Sequence, residues 1–279
     1  MDPHVERLLA NKVIGWVYHP DKHKEVLVAK GTGCEVQSPD TDYRPRQRPI
    51  NYPRELRIDP DIYRIESFVF EGLKQHMYLD HNRNVTVGLG HMIKDVDAAK
   101  KLPFYDRKTK LPIKDDDKWK IEEEFNQIRK PKYKKYNADD FRKVTNLDLD
   151  PVYIENQFKA DVKEFIRQLR AKLTEFDTYP KMAQLGLLDL IFNLGHDRFF
   201  GKGKFTGFPK LLKALRYRNW KEVAKESHRK EKNDKGVTMG GVVKRNIVVR
   251  DWFLTAGRED PFFVDPNCGP AKNVSALVG

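Results

Sequence analysis

The sequence predicts an α+β fold, mainly α, in which a helical domain carries a small β-hairpin subdomain and follows an N-terminal extension. Three observations predict it. Beyond Pro151 apolar residues recur every three or four positions, the period of a helix with one buried face. Residues 76–92 are rich in turn formers and hold Thr86-Val87 ahead of two spaced glycines, which suits a hairpin. The first 60 residues differ from the rest, with short β-prone runs set among prolines.

In chain order, Val13–Val17 and Glu25–Ala29 read as short strands, and SPDTDYRPRQRPINYPRE, with its four prolines, as turns. This segment, residues 1–58, is expected to be an extension, either wrapped on the main domain or the remnant of a separate small one. The main domain spans 59–279. A helix opens after Pro60, with Ile62, Ile65, Phe68 and Val69 on one face and Gly72 as its C-terminal cap. From 94 to 150 the chain is charged and helical in patches, notably around DDDKWKIEEEFNQIRK, and carries the basic run RKPKYKKY at Arg129–Tyr136. Ile154, Phe158, Val162, Phe165, Leu169 and Leu173 then make one apolar stripe. Met182–Gly195, MAQLGLLDLIFNLG, is apolar nearly all round and reads as the buried central helix. KLLKALRYRNWKEVAKES supplies two shorter helices and VVKRNIVVRDWFL another, with Trp220 and Trp252 on their core faces.

The 279 residues include 53 Lys and Arg against 41 Asp and Glu, a net charge of +12. That excess attracts polyanions: nucleic acid, anionic lipid or acidic cell-wall polymer. No nucleic-acid motif accompanies it, so no specific nucleic acid is expected. No run approaches the roughly 20 apolar residues of a membrane span. The start, MDPHVERLLANKVIGW, lacks the pattern of a secretory signal, so synthesis in a cytoplasm is expected. Cys34 and Cys268 show no metal-ligand spacing and are expected as free thiols; a bridge between them needs an oxidising compartment.

The stretch FEGLKQHMYLDHNRNVTVGLGH, residues 70–91, carries the chemistry. Cleaving a glycosidic bond takes one carboxyl group to protonate the leaving oxygen and another to stabilise the cation or prepare water. Glu71 at a helix end and Asp80 in a turn come from different elements and would face each other across a cleft. Thr86, on the returning strand, would add a hydroxyl that holds a water. Taken singly, each has a plainer reading: an exposed helix-end carboxylate, a turn residue and a strand former.

The complete string resembles the phage-type lysozymes, glycoside hydrolase family 24. Their pattern is Glu-Gly, a tyrosine, an aspartate, then Thr-hydrophobic-Gly-hydrophobic-Gly-His. Here these are Glu71-Gly72, Tyr78, Asp80 and Thr86-Val87-Gly88-Leu89-Gly90-His91. Fainter likeness continues at LDLIFNLG, at Phe205–Ala224 and at Gly240–Phe253, so that roughly 59–257 can be laid onto the family. The 94–150 region resembles bacterial, tail-associated or effector-type relatives. A glycine common in the family's turn is replaced in Asp80-His81-Asn82-Arg83-Asn84. Asparagine tolerates positive φ, so Asn82 or Asn84 is expected to take over the turn.

The resemblance implies muramidase activity on bacterial peptidoglycan, by inversion, with Glu71 as general acid and Asp80 and Thr86 positioning the attacking water. It implies no metal or organic cofactor. It makes His91 a hydrogen-bonded structural residue, and Arg245 the arginine brought up to Glu71; the plainer alternative is a surface arginine. Gly88 and Gly90 permit a tight strand exit and close approach of a sugar. Met92 and Phe192 either line the cleft or pack in the core. Asn193 either caps its helix or binds a sugar N-acetyl group. His76 and His81 are expected in solvent. The partners implied are glycan strands, acted on in the cell wall by a monomer delivered as a phage endolysin or as an antibacterial effector. The effector route adds an immunity protein or secretion-apparatus partner. The rival from another class is a non-catalytic wall-binding module on the same scaffold. A lytic transglycosylase, which cuts the same bond without water, is the closer rival.

Overall fold

The computed structural model of the chain describes residues 10–11, 14–22, 24–37, 72–80, 83–133, 135–232, 236, 238–268 and 272–273. Glu71, the helix expected after Pro60, His81 and Asn82 lie outside the described residues. The fold is α+β and mainly α, with eight α-helices and four small sheets among the described residues. These residues group into two compact units, one from Met1–Ile58 with Arg167–Gly279 and the other from Asp59–Ile166. The N-terminal residues thus group with 167–279, and the boundaries fall after Ile58 and after Ile166.

The reason lies in the N-terminal strands, β1 (Ile14–His19) and β2 (Lys24–Ala29), which pair as an antiparallel hairpin. Val17, Val26 and Val28 bury themselves against Tyr217 and Val264, with Phe262 alongside. Backbone bonds extend the seam: Val264 N–H donates to Tyr217 C=O at 3.0 Å and Asp265 N–H to Gly33 C=O at 2.9 Å. The Tyr217 hydroxyl donates to Asp21. A short strand β3 (Val36–Gln37) then pairs in parallel with Lys272–Asn273 near the chain's end. This docking brings the Cα atoms of Cys34 and Cys268 to 5.4 Å, and the two form a disulfide. The expectation of free thiols is corrected. Sequence separation hid the pair, because only the folded seam makes residues 234 apart neighbours.

The Asp59–Ile166 unit is built around a three-stranded antiparallel sheet, β4 (Lys74–Leu79), β5 (Val85–Gly88) and β6 (His91–Met92). Helix α1 (Val96–Lys100) starts where Asp95 accepts the Ala98 N–H at 2.8 Å, satisfying an otherwise orphaned donor. After it come β7 (Phe104–Asp106), α2 (Trp119–Ile128) and β8 (Leu147–Leu149), the last pairing with β7. The β7–β8 ribbon was not expected; three residues per strand are too few to display a period of two. Between these strands Arg107 bonds Asp148 through Nε and Nη2, the latter at 2.8 Å, and the Thr145 carbonyl, also at 2.8 Å. Helix α3 (Pro151–Lys172) follows the start rule of an aspartate cap with proline at the first helical position. Asp150 accepts the Tyr153 N–H at 2.8 Å. Its stripe Ile154, Phe158, Val162, Ile166 and Leu169 is buried, whereas Phe165 and Leu173 are half-buried.

Helix α4 (Lys181–Leu194) is the expected central helix, buried from Ala183 through Ile191. A glycine in a helix interior costs about 1 kcal/mol against alanine. Gly186 holds its place because a Cβ there would lie 2.8 Å from the Phe253 ring. Overpacking of that kind costs roughly 1–3 kcal/mol, so the smaller penalty wins. The partner ring sits on α8 (Gly240–Glu259), beyond α5 (His196–Phe200), α6 (Pro209–Arg216) and α7 (Trp220–Glu226). Trp220 is buried and its indole N–H donates to Asp260 at 2.9 Å, whereas Trp252 is half-buried.

His76, expected in solvent, is only 2% exposed. It lies on β4, which packs against α2, β8 and the turn at 140–143, and its Nε2 donates to the Ala138 carbonyl at 2.9 Å. Burial pushes its pKa below the usual 6.5; the Ala138 bond opposes this, Arg107 and Arg142 add to it, and Asp148 opposes it.

Two stability tests follow from these contacts. Serine at both Cys34 and Cys268 should lower the unfolding free energy by about 2–4 kcal/mol, read from the urea midpoint. For His76 the unfolded chain takes up a proton near pH 6.5 while the folded one resists. Stability is therefore intact above 6.5 and falls as pH drops from 6.5 towards the lower folded pKa. Denaturation at pH 7.5 and pH 5 should show a smaller acid loss in His76→Gln than in the wild-type protein.

Candidate active site

The hairpin β4–β5 sets the geometry of the residues expected to do chemistry. Tyr78 and Thr86 lie directly opposite each other, Leu79 and Val85 end the ladder, and Asp80 and Asn84 follow at the start of the turn. The turn closes with Arg83 N–H donating to Asp80 C=O at 2.9 Å and Asp80 N–H to Asn84 C=O at 3.0 Å. Arg83, with φ +69°, makes a left-handed step in this turn, and Asn84 does not. This corrects the expectation for Asn84. That conformation costs a non-glycine residue roughly 1–2 kcal/mol. The bonds that close the turn offset it, together with an Arg83 Nη1 bond to the Tyr133 carbonyl at 3.4 Å.

Asp80 is half-buried, and both its carboxylate oxygens are held by one residue. Oδ1 accepts the Asn84 backbone N–H at 2.8 Å, and Oδ2 accepts the Asn84 side-chain amide at 3.0 Å. Thr86 is 3% exposed, and its hydroxyl donates to the Asn84 carbonyl at 3.1 Å. The hydroxyl proton is therefore used inside the hairpin, leaving the oxygen's lone pairs as what Thr86 offers. Asp80 and Thr86 are brought together through Asn84. The sequence reading missed that role, although an aspartate accepting amide hydrogens from just downstream is a recurrent turn device.

Past Thr86 the chain leaves the strand through Gly88 (φ +69°) and Gly90 (φ +82°). A Cβ on Gly88 would lie 3.0 Å from Ile154 Cγ2, so both the backbone angle and the approach of α3 require glycine. His91 is half-buried with Nδ1 3.2 Å from Asp161 Oδ2. Asp161 Oδ1 accepts the Gln157 amide at 2.8 Å, and Gln157 in turn accepts the Tyr153 hydroxyl at 3.4 Å. These three helix residues are four apart and so share a face. Met92 is 55% exposed, which removes the core-packing alternative for it.

Phe192, Asn193 and Arg245 belong to the other unit. Arg245 is buried, so the surface-arginine alternative is set aside. Its Nε donates to Asp189 Oδ1 at 2.8 Å, while Arg229 Nη1 donates to Asp189 Oδ2 at 2.9 Å and to Asn193 Oδ1 at 3.3 Å. Asn246 completes the group: its Oδ1 accepts the Arg229 Nε at 3.0 Å and its amide donates to the Arg229 carbonyl at 2.9 Å. Asn193 therefore answers a buried arginine, and helix α4 is ended by Gly195 (φ +77°), whose N–H bonds the Ile191 carbonyl. Phe192 is half-buried. Asp189, Arg229 and Asn246 were missed. A signal existed, since an aspartate inside the apolar run LLDLIFNL must find partners.

No protein-family model matches the chain, and no curated protein matches it.

Asp189 is 1% exposed and serves two buried guanidinium groups. Removing one member of such a set takes away a buried counter-charge and its hydrogen bonds, at a cost of about 3–5 kcal/mol. Asp189→Ala should show that loss in urea denaturation; a loss under 1 kcal/mol would mean the arginines find other anions.

Proposed function

We propose that the protein is a muramidase that hydrolyses the β-1,4 bond between N-acetylmuramic acid and N-acetylglucosamine in bacterial peptidoglycan. The observation that carries the reading is the coupling of Asp80 and Thr86 at the end of one hairpin through Asn84. It occurs within a stretch whose pattern resembles that of the phage-type lysozymes. A carboxylate has about four acceptor sites, and Asn84 occupies two, so Asp80 keeps lone pairs for a water. Thr86, its proton already donated, also accepts. A water held by both donates one hydrogen bond to each and turns a lone pair towards the sugar carbon; as the new C–O bond forms, Asp80 takes one of its protons. Glu71 protonates the leaving oxygen from the opposite face. The product is inverted, a mechanism that requires about 6.5–9.5 Å between the two carboxyl groups so that the water fits.

The Cys34–Cys268 bridge supports a site of action outside a reducing cytoplasm, such as the cell wall. The net charge of +12 holds the enzyme near an acidic polymer, with salt weakening the attraction. Delivery as an antibacterial effector, with an immunity protein in the producer, and release as an endolysin both suit such an enzyme. Among the described residues no helix is long and apolar enough to cross a membrane.

The test is digestion of purified cell walls by wild type and Glu71→Gln, with mass analysis of the released muropeptides. Wild type should release fragments with hydrolysed reducing ends, and Glu71→Gln should be slower by about 10²–10⁴-fold. Equal clearing by both would remove Glu71 from the acid role. Binding without clearing by either would favour a wall-binding module, and cyclised sugar ends would mean transglycosylation.

A further inference from the structure

We infer that Asn84 is a positioning residue for the water-holding pair, an assignment that rests on the muramidase reading. A carboxylate at a hairpin tip has two free side-chain torsions, and one hydrogen bond would leave it able to swing. Asn84 grips it twice, by the backbone N–H on Oδ1 at 2.8 Å and by the side-chain amide on Oδ2 at 3.0 Å. Two bonds to two oxygens fix the plane of the carboxylate, and with it the direction of the remaining lone pairs. The same residue's carbonyl takes the hydroxyl proton of Thr86 at 3.1 Å, which sets where that oxygen's lone pairs point. One residue therefore orients both acceptors of the proposed water.

The side chain at this position has to donate. Alanine would keep the backbone N–H and lose the grip on Oδ2. Aspartate would set a second carboxylate about where the amide nitrogen now lies, 3.0 Å from Oδ2. Two carboxylates that close cannot both ionise freely, and the pair shares a proton. The half-protonated pair reproduces the amide's bond, because the protonated member donates to the other. Full ionisation destroys it. The local backbone supports the arrangement independently: the left-handed Arg83 turns the chain back so that residue 84 meets residue 80.

A residue that only staples the hairpin would act through folding, so the experiment separates kcat from stability. Soluble glycan-strand substrate is digested by wild type, Asn84→Ala and Asn84→Asp over a pH series, with the melting temperature of each measured. Asn84→Ala should lose about 10–100-fold in kcat with KM within about twofold of wild type and a retained melting transition. Asn84→Asp should stay active on the acid side and lose activity as pH rises, its alkaline limb lying below that of wild type. Wild-type kcat in Asn84→Ala would overturn the assignment. So would a loss in both variants that tracks the melting temperature, with a pH profile of unchanged shape in Asn84→Asp. If Asn84→Ala does not fold, the alkaline limb of Asn84→Asp decides alone. An inactive wild type would bring down the muramidase reading itself, and this assignment with it, whereas an active wild type with an indifferent Asn84 would bring down only the assignment.

Discussion

The grip of Asn84 on the Asp80 carboxylate is the contact on which the candidate site depends. A hairpin tip is an unpromising place to hold a reactive carboxylate, since loop ends are where backbone freedom concentrates. Here the backbone loop from residue 80 to residue 84 closes through main-chain bonds and a left-handed Arg83, and the side chains then lock onto it. Thr86 joins through the same residue's carbonyl. Below the tip every β5 residue and β4 residues 76–79 are buried, so the tip stands on a packed base. Its shape is thereby transmitted to the two groups proposed to hold water.

Buried charge is handled differently in the two units, and each solution is local. In the Asp59–Ile166 unit, Arg107 spends its guanidinium on Asp148 and on the carbonyls of Arg142 and Thr145. Glu124, whose pKa burial raises to about 7, accepts the amides of Asn146 and Leu147. In the other unit, Asp189 anchors two arginines, and Asn193 and Asn246 each accept a further bond from Arg229. Each of these carboxylates thus meets more than one donor, which limits the desolvation penalty.

The N-terminal hairpin shows how an extension becomes part of a core. Three valines supply the buried area, backbone bonds supply the register, and the disulfide ties down the end of the seam. The covalent link works by constraining the unfolded chain, and so adds to packing that is already in place.

Local physics was legible in the residues alone. Helical period placed the central helix and α6, α7 and α8 to within a few residues, because one buried face imposes spacing that any observer of the sequence can count; the five-residue α5 is too short to show it. Turn formers and spaced glycines likewise placed the hairpin that carries Asp80 and Thr86. What the tertiary structure decided were the partnerships: Cys34 with Cys268, Asp189 with Arg229 and Arg245, His76 beneath Ala138, and Asn84 as the hand on Asp80. All but the last join residues some 40 or more positions apart. Spacing along a backbone fixes which face a side chain occupies, but which distant group arrives at that face depends on how the chain closes on itself. Even Arg83, four residues from the motif's end of β4, took its left-handed form because its neighbours closed the turn around it, against its own preference.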